Sequence, residues 1–236
     1  MLESLNLKDT GLEYLDASYN RINEFNKLNL PDSIVTLKLN NNHLPTIDQL
    51  PSNLIYLNVS GCNCYNISTL PANLLTLKIS SNKISSLNLP GALEYLNCTS
   101  NDIGVLTLNN NLAHLFCSAN KIKKIYFNNK LIELSCSHNQ LTDLMNIPGT
   151  LTILICVDNP INKLKMVDFN TIFIDQHTLY YIDFMALGKL YLNQETIQKI
   201  ASIKIQRAWT TYKKSKLDIN YINMWCDDFS QLVIDL

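Results

Sequence analysis

Apolar residues recur along the chain in one spaced pattern, L-x-x-L-x-L-x-x-N-x-L, from Leu12 almost to residue 180. It reads Leu12, Leu15, Ala17, Asn20, Ile22, and next Ile34, Leu37, Leu39, Asn42, Leu44. Further copies start at Leu54, Leu74, Leu93, Leu112, Leu131 and Leu151, and a weaker ninth runs through Phe169, Ile172, Ile174, His177 and Leu179. The start-to-start spacings are 22, 20, 20, 19, 19, 19, 20 and 18. Self-similarity at such a period predicts a stack of units rather than a globular layer fold. In each unit, L-x-L sets two side chains on one face of a short strand, pointing inward. Successive strands are predicted to pair in parallel, about 4.8 Å apart, as a nine-stranded sheet. About nine residues separate one copy from the next. That is too few for a regular helix plus two turns, so the return side is expected to be extended or 3-10. Pro31, Pro51, Pro71, Pro90 and Pro148 fall there, where a fixed φ and a missing N–H donor do no harm.

This repeat resembles the leucine-rich-repeat family over roughly three quarters of the chain. The linker L-P-x-x-L, as in Leu50-Pro51-Ser52-Asn53-Leu54, is similar to the bacterial-effector class of these repeats. Cys62 stands where the other copies carry Asn, a usual substitution in the family. The Asn column is expected to bond backbone groups in the tight turn after each strand. The resemblance implies an α/β solenoid over 1–180, with about nine repeats, a curved parallel sheet and an extended or 3-10 convex side. A helical C-terminal cap or tail is expected over 181–236.

The family uses its concave surface for recognition, and three columns of side chains are expected there. The first is Tyr14, Thr36, Tyr56, Thr76, Tyr95, His114, Glu133, Ile153 and Thr171. The second is Asp16, Lys38, Asn58, Lys78, Asn97, Phe116, Ser135, Ile155 and Phe173. The third runs from Ser18 through Ser118 and Ser137 to Val157 and Asp175. Tyrosine adds large contact area and a hydroxyl at low entropic cost, which suits a partner footprint. Aromatic and β-branched residues also simply suit exposed strands. Ile153, Ile155, Val157 and Phe173 form an apolar end that requires a cover. Either the tail folds back as a cap or a partner supplies it, and an uncovered last strand would support a homo-oligomer.

Candidate chemistry adds little. His114 and Glu133 are neighbours in one column and within hydrogen-bonding reach. With Ser135 nearby they suggest a hydrolytic site, but a flat sheet supplies neither oxyanion donors nor water exclusion, so no catalytic residue is assigned. The column Cys98, Cys117, Cys136 and Cys156 spans too great a length for tetrahedral zinc, which needs every ligand within about 2.3 Å of one point. Parallel Cβ vectors about 4.8 Å apart overshoot disulfide geometry. These cysteines are expected to pack in a narrow core, and no metal or cofactor is expected. Net charge is −1 and the pI is near 6.4, which gives no reason to expect nucleic acid or a membrane as partner. No apolar run approaches the roughly 20 residues of a membrane span. The opening segment lacks the basic and apolar regions of a secretory signal, and seven cysteines suit a reducing, cytoplasmic compartment. The triplets at Asn58, Asn66 and Asn97 read as chance glycosylation matches.

Beyond Gly188 the period gives way to helical spacing. Ile197, Ile200, Ala201, Ile205, Ala208 and Tyr212 share one helical face, with Asn193 as N-cap. Ile205-Gln206-Arg207-Ala208-Trp209, followed by Lys213, Lys214 and Lys216, resembles an IQ motif, although Thr210 and Thr211 stand where that motif carries Arg-Gly. The resemblance implies a calmodulin-like partner for 194–217. Short repeats, heavy Asn/Ile/Lys usage and this tail together resemble leucine-rich-repeat proteins of giant amoebal viruses such as mimivirus, which implies an intracellular setting, the host cytoplasm. The expected function is non-enzymatic protein binding through the concave face, with calmodulin or light-chain recruitment by the tail as the alternative.

Overall fold

A computed structural model describes residues 6–8 and 10–164 and the backbone of 171–173. Nine three-residue strands form one parallel sheet in which each unit pairs with the next. They are β1 (Tyr14–Asp16), β2 (Thr36–Lys38), β3 (Tyr56–Asn58), β4 (Thr76–Lys78), β5 (Tyr95–Asn97), β6 (His114–Phe116), β7 (Glu133–Ser135), β8 (Ile153–Ile155) and β9 (Thr171–Phe173). These are the strands that the spacing predicts, the weak ninth copy included. Their register matches position for position, with Tyr56 opposite Thr76 and Thr76 opposite Tyr95.

The period-2 alternation decides which face is buried. The central residue of each strand from β2 to β8 is buried between two half-buried neighbours. The spine of Leu37, Leu57, Leu77, Leu96, Leu115, Leu134 and Leu154 is fully buried. A second spine, two residues on, runs Leu39, Val59, Ile79, Cys98, Cys117, Cys136 and Cys156 and is equally inaccessible.

Return segments close the other side of this core. They hold short parallel pairs, Thr46–Ile47 with Asn66–Ile67, Val105–Thr107 with Lys124–Tyr126, and Asp143–Leu144 with Lys163–Leu164. The first return segment instead forms a 3-10 helix at Phe25–Leu28, which buries Phe25 and Leu28. That turn uses the extra residues of the 22-residue spacing. Five return segments end in the Pro turn, where the N–H three residues on bonds the proline carbonyl, as from Leu54 to Pro51 and from Leu93 to Pro90. Two repeats carry Asn109 and Asn128 in place of proline. Asn128 Oδ1 accepts the N–H groups of Lys130 and Leu131, and its Nδ2 donates to Asn109 O and Leu112 O.

After each of β1 to β8 the chain reverses through a left-handed residue. Tyr19, Asn41, Gly61, Ser81, Ser100, Ala119, His138 and Asp158 all have φ between 54° and 68°. Only one is glycine, so the others carry a backbone strain of about 1 kcal/mol each. The residue after each is the Asn of the pattern, except Cys62 after Gly61, and the Asn side chain offsets that cost. Asn120 Nδ2 donates to Cys117 O in its own repeat and to Cys98 O of the preceding repeat. Asn120 Oδ1 accepts the Ile103 N–H of the preceding repeat. Asn42, Asn82, Asn101, Asn139 and Asn159 repeat the scheme. The ladder therefore reaches further than the expected turn contacts, because it joins repeats. Cys62 reproduces only its donor half: Sγ lies 3.2 Å from Leu39 O, while the Leu44 N–H turns to the Cys62 carbonyl.

Replacing Asn120 by Ala strands the buried Ile103 N–H and removes one of the two carboxamide donors to Cys98 O and to Cys117 O, which keep Asn101 and Asn139. A loss of roughly 2–4 kcal/mol is expected in urea unfolding, against less than about 0.5 kcal/mol for exposed Asn110→Ala.

Candidate protein-binding face of the sheet

The outward residues of β1 to β8 stand on one open face, in the order the columns predict. They are not independent. Lys38 Nζ lies 2.8 Å from Tyr14 Oη, 5.1 Å from the Tyr14 ring centre and 3.7 Å from Asp16 Oδ2. The Tyr14 hydroxyl raises the Lys38 pKa, with Asp16 adding to it. Hydrogen bonding from Ser18, helped by Lys38, holds the Asp16 carboxyl below its ordinary range.

Two strands on, Lys78 Nζ stands 5.7 Å from the Tyr56 ring centre and 5.6 Å from that of Tyr95. Tyr95 in turn packs on Phe116 at 5.4 Å and on His114 at 6.3 Å, both tilted. His114 Nδ1 and Glu133 Oε2 are 3.0 Å apart, which realises the expected column pair. A chain of side chains thus runs from β3 to β7 without a break, each touching the next. Sequence reasoning placed these residues correctly but as separate columns. The signal it missed is the diagonal: a lysine in the second column reaches tyrosines in the first.

Asn58 and Asn97 are partly committed to the backbone. Their Oδ1 atoms accept the N–H groups of Ser60 and Thr99, and Asn58 Nδ2 also donates to Asn40 Oδ1. In the third column Ser137 is buried and its Oγ accepts the Val157 N–H, so that column is not uniformly outward as expected. Ile153 and Ile155 are half-buried on β8, which pairs with β9. The Phe173 side chain, Asp175, the expected cap over 181–236 and the IQ-like residues Ile205, Gln206, Arg207, Trp209, Lys213 and Lys214 lie outside the described residues.

His114, Glu133 and Ser135 are not brought together as one triad. Ser135 sits opposite Phe116, diagonal to His114, and its hydroxyl pairs with Ser118 Oγ at 3.1 Å. The cysteine column lies on the inner side of the sheet. Burial pushes Cys98 and Cys136 up to about 12 and Cys117 well above its ordinary value, so these groups stay thiols. Among the described residues no group of three or more His, Cys, Asp or Glu could hold a metal ion, and no helix is long and apolar enough to cross a membrane.

No protein-family model and no curated protein matches the sequence. Solved structures do. YopM from Yersinia enterocolitica WA-314 is similar at 30% identity with a TM-score of 0.69, over 74% of this chain and 40% of that one. The functional domain of InlJ from Listeria monocytogenes, which includes a cysteine ladder, matches at 24% identity and TM-score 0.55, over 76% of this chain and 47% of that one. A chain of the octameric complex of Latrophilin 3, Unc5D and the leucine-rich-repeat part of FLRT2 matches at 21% and 0.57, over 85% and 83%. The fold is the leucine-rich-repeat solenoid. This chain spans less than half the length of the YopM and InlJ chains it matches.

Because their thiols are protonated and shielded, Cys98, Cys117 and Cys136 are expected to resist iodoacetamide in the native state and to react fully in urea. Peptide mass spectrometry measures this; labelling without denaturant would contradict the buried spine.

Proposed function

We propose that the chain is a non-enzymatic interaction module that binds a protein partner across the outer face of the nine-stranded sheet. One observation carries this: Tyr56, Lys78, Tyr95, Phe116, His114 and Glu133 form a contiguous, half-exposed array at the middle of the sheet. Aromatic rings held on short strands keep little rotamer freedom, so a partner orders few side chains on docking. Leucine-rich repeats of the FLRT2 kind occur in a multi-protein assembly, which supports the reading by likeness of fold. A reducing host cytoplasm is the proposed setting, since the buried thiols of Cys98, Cys117 and Cys136 are left unpaired.

Changing Tyr56, Tyr95 and Phe116 together to Ala is expected to cut capture of host-lysate proteins by about tenfold or more, with far-UV circular dichroism unchanged. Unchanged capture rejects this face.

A second reading rests on the sequence of 194–217, a basic amphipathic stretch with Ile205-Gln206-Arg207 and Trp209. It assigns that segment to a calmodulin-like protein. A peptide of those residues is expected to bind calmodulin at about micromolar concentration, and no binding there rejects the assignment.

A further inference from the structure

The middle of the face holds an ammonium group without a carboxylate. Lys78 lies between Asn58 on β3 and Asn97 on β5, directly in register with both. Lys38, the other lysine of the face among the described residues, lies 3.7 Å from Asp16 Oδ2, and Glu133 Oε2 is within hydrogen-bonding distance of His114 Nδ1. Among the described residues Lys78 forms no ion pair. Instead two tyrosine rings flank its Nζ at 5.6 and 5.7 Å. Ring faces attract a cation but leave its charge uncancelled, and here they hold a normally mobile side chain in one place. The two flanking rings carry phenol hydroxyls, and Asn97, in register with Lys78, carries a carboxamide, all of them groups able to donate. One strand on, Phe116 packs against Tyr95 and adds an apolar shelf.

We propose that this spot is a socket for an acidic side chain of the protein partner, whose neighbouring apolar side chain rests on Phe116 and Tyr95. The inference rests on the reading of the sheet as the contact face. A carboxylate over Lys78 supplies the counter-charge its ammonium lacks and accepts bonds from the surrounding donors. Nucleic acid fits poorly, because a polyanion needs a run of cations, whereas the register neighbours of Lys78 are the neutral Asn58 and Asn97. A phosphate dianion calls for bidentate or multiple cationic groups, and the socket has a single lysine.

The test pans the full chain against a random dodecapeptide phage library and measures the selected peptides by fluorescence anisotropy. Selected peptides are expected to be rich in Asp or Glu next to an apolar residue. Their affinity should fall about tenfold for Lys78→Met, stay within about threefold for Lys78→Arg and Lys123→Met, and weaken between roughly 0.05 and 0.5 M salt. Neutral or basic peptides, no selected peptide, or acidic peptides that bind Lys78→Met as well as the parent overturn the socket. So does a preference of about tenfold or more for phosphoserine over the selected Glu. Peptides that ignore Lys78→Met yet lose binding with Tyr56→Ala and Tyr95→Ala overturn the socket alone. Peptides indifferent to all three overturn the contact face as well.

Discussion

Each repeat of a solenoid is open at its edge. Its strand leaves backbone groups unpaired, and its turn points further N–H and carbonyl groups into a space that water cannot reach. The buried asparagine answers the second problem with one planar carboxamide, two donors and an acceptor, matched to two carbonyls and an N–H. Because one of those carbonyls and the N–H belong to the preceding repeat, the residue that closes one turn also fixes the next unit in register. The left-handed residue before each asparagine shows how much the geometry depends on this. Tyr19, Ala119 and His138 accept an unfavourable φ so that the following carboxamide enters the stack. Cys62 marks the limit of substitution, since a thiol can donate but offers a poor acceptor, and the backbone carbonyl takes over that half.

The outer face follows from this constraint. With register fixed, the outward positions of neighbouring strands come about 4.8 Å apart, and side chains longer than that spacing meet. Lysine and tyrosine are long enough. The contacts from Lys38 to Tyr14 and from Lys78 to Tyr56 and Tyr95 therefore arise from strand geometry plus side-chain length. Shorter residues in the third column turn back to the chain, as Ser137 does with the Val157 N–H.

The sheet was legible in the sequence because an inward pair every 18–22 residues has few competing interpretations. The strands, their order and the outward columns all follow from that period, and so does the His114–Glu133 contact. What the pattern could not carry is anything set by diagonal reach or by a choice between backbone and side-chain partners. Asn109 and Asn128 illustrate this: they replace proline in the linker, look like ordinary surface residues, and yet bridge return turns through their carboxamides. The commitment of Asn58 and Asn97 to Ser60 and Thr99 is hidden for the same reason, since an Asn on an exposed strand position reads as free.

The two faces of each strand divide the work between stability and recognition. Inward positions admit only compact apolar groups, and the change from Leu39, Val59 and Ile79 to Cys98, Cys117 and Cys136 keeps that spine dry while reducing side-chain volume. Outward positions are relieved of any part in the core, so they can carry unmatched charge and half-exposed aromatic rings at small cost to folding. Lys78 expresses that freedom most fully. In the core its charge would require a partner; on the sheet it is held by two rings and kept open to one.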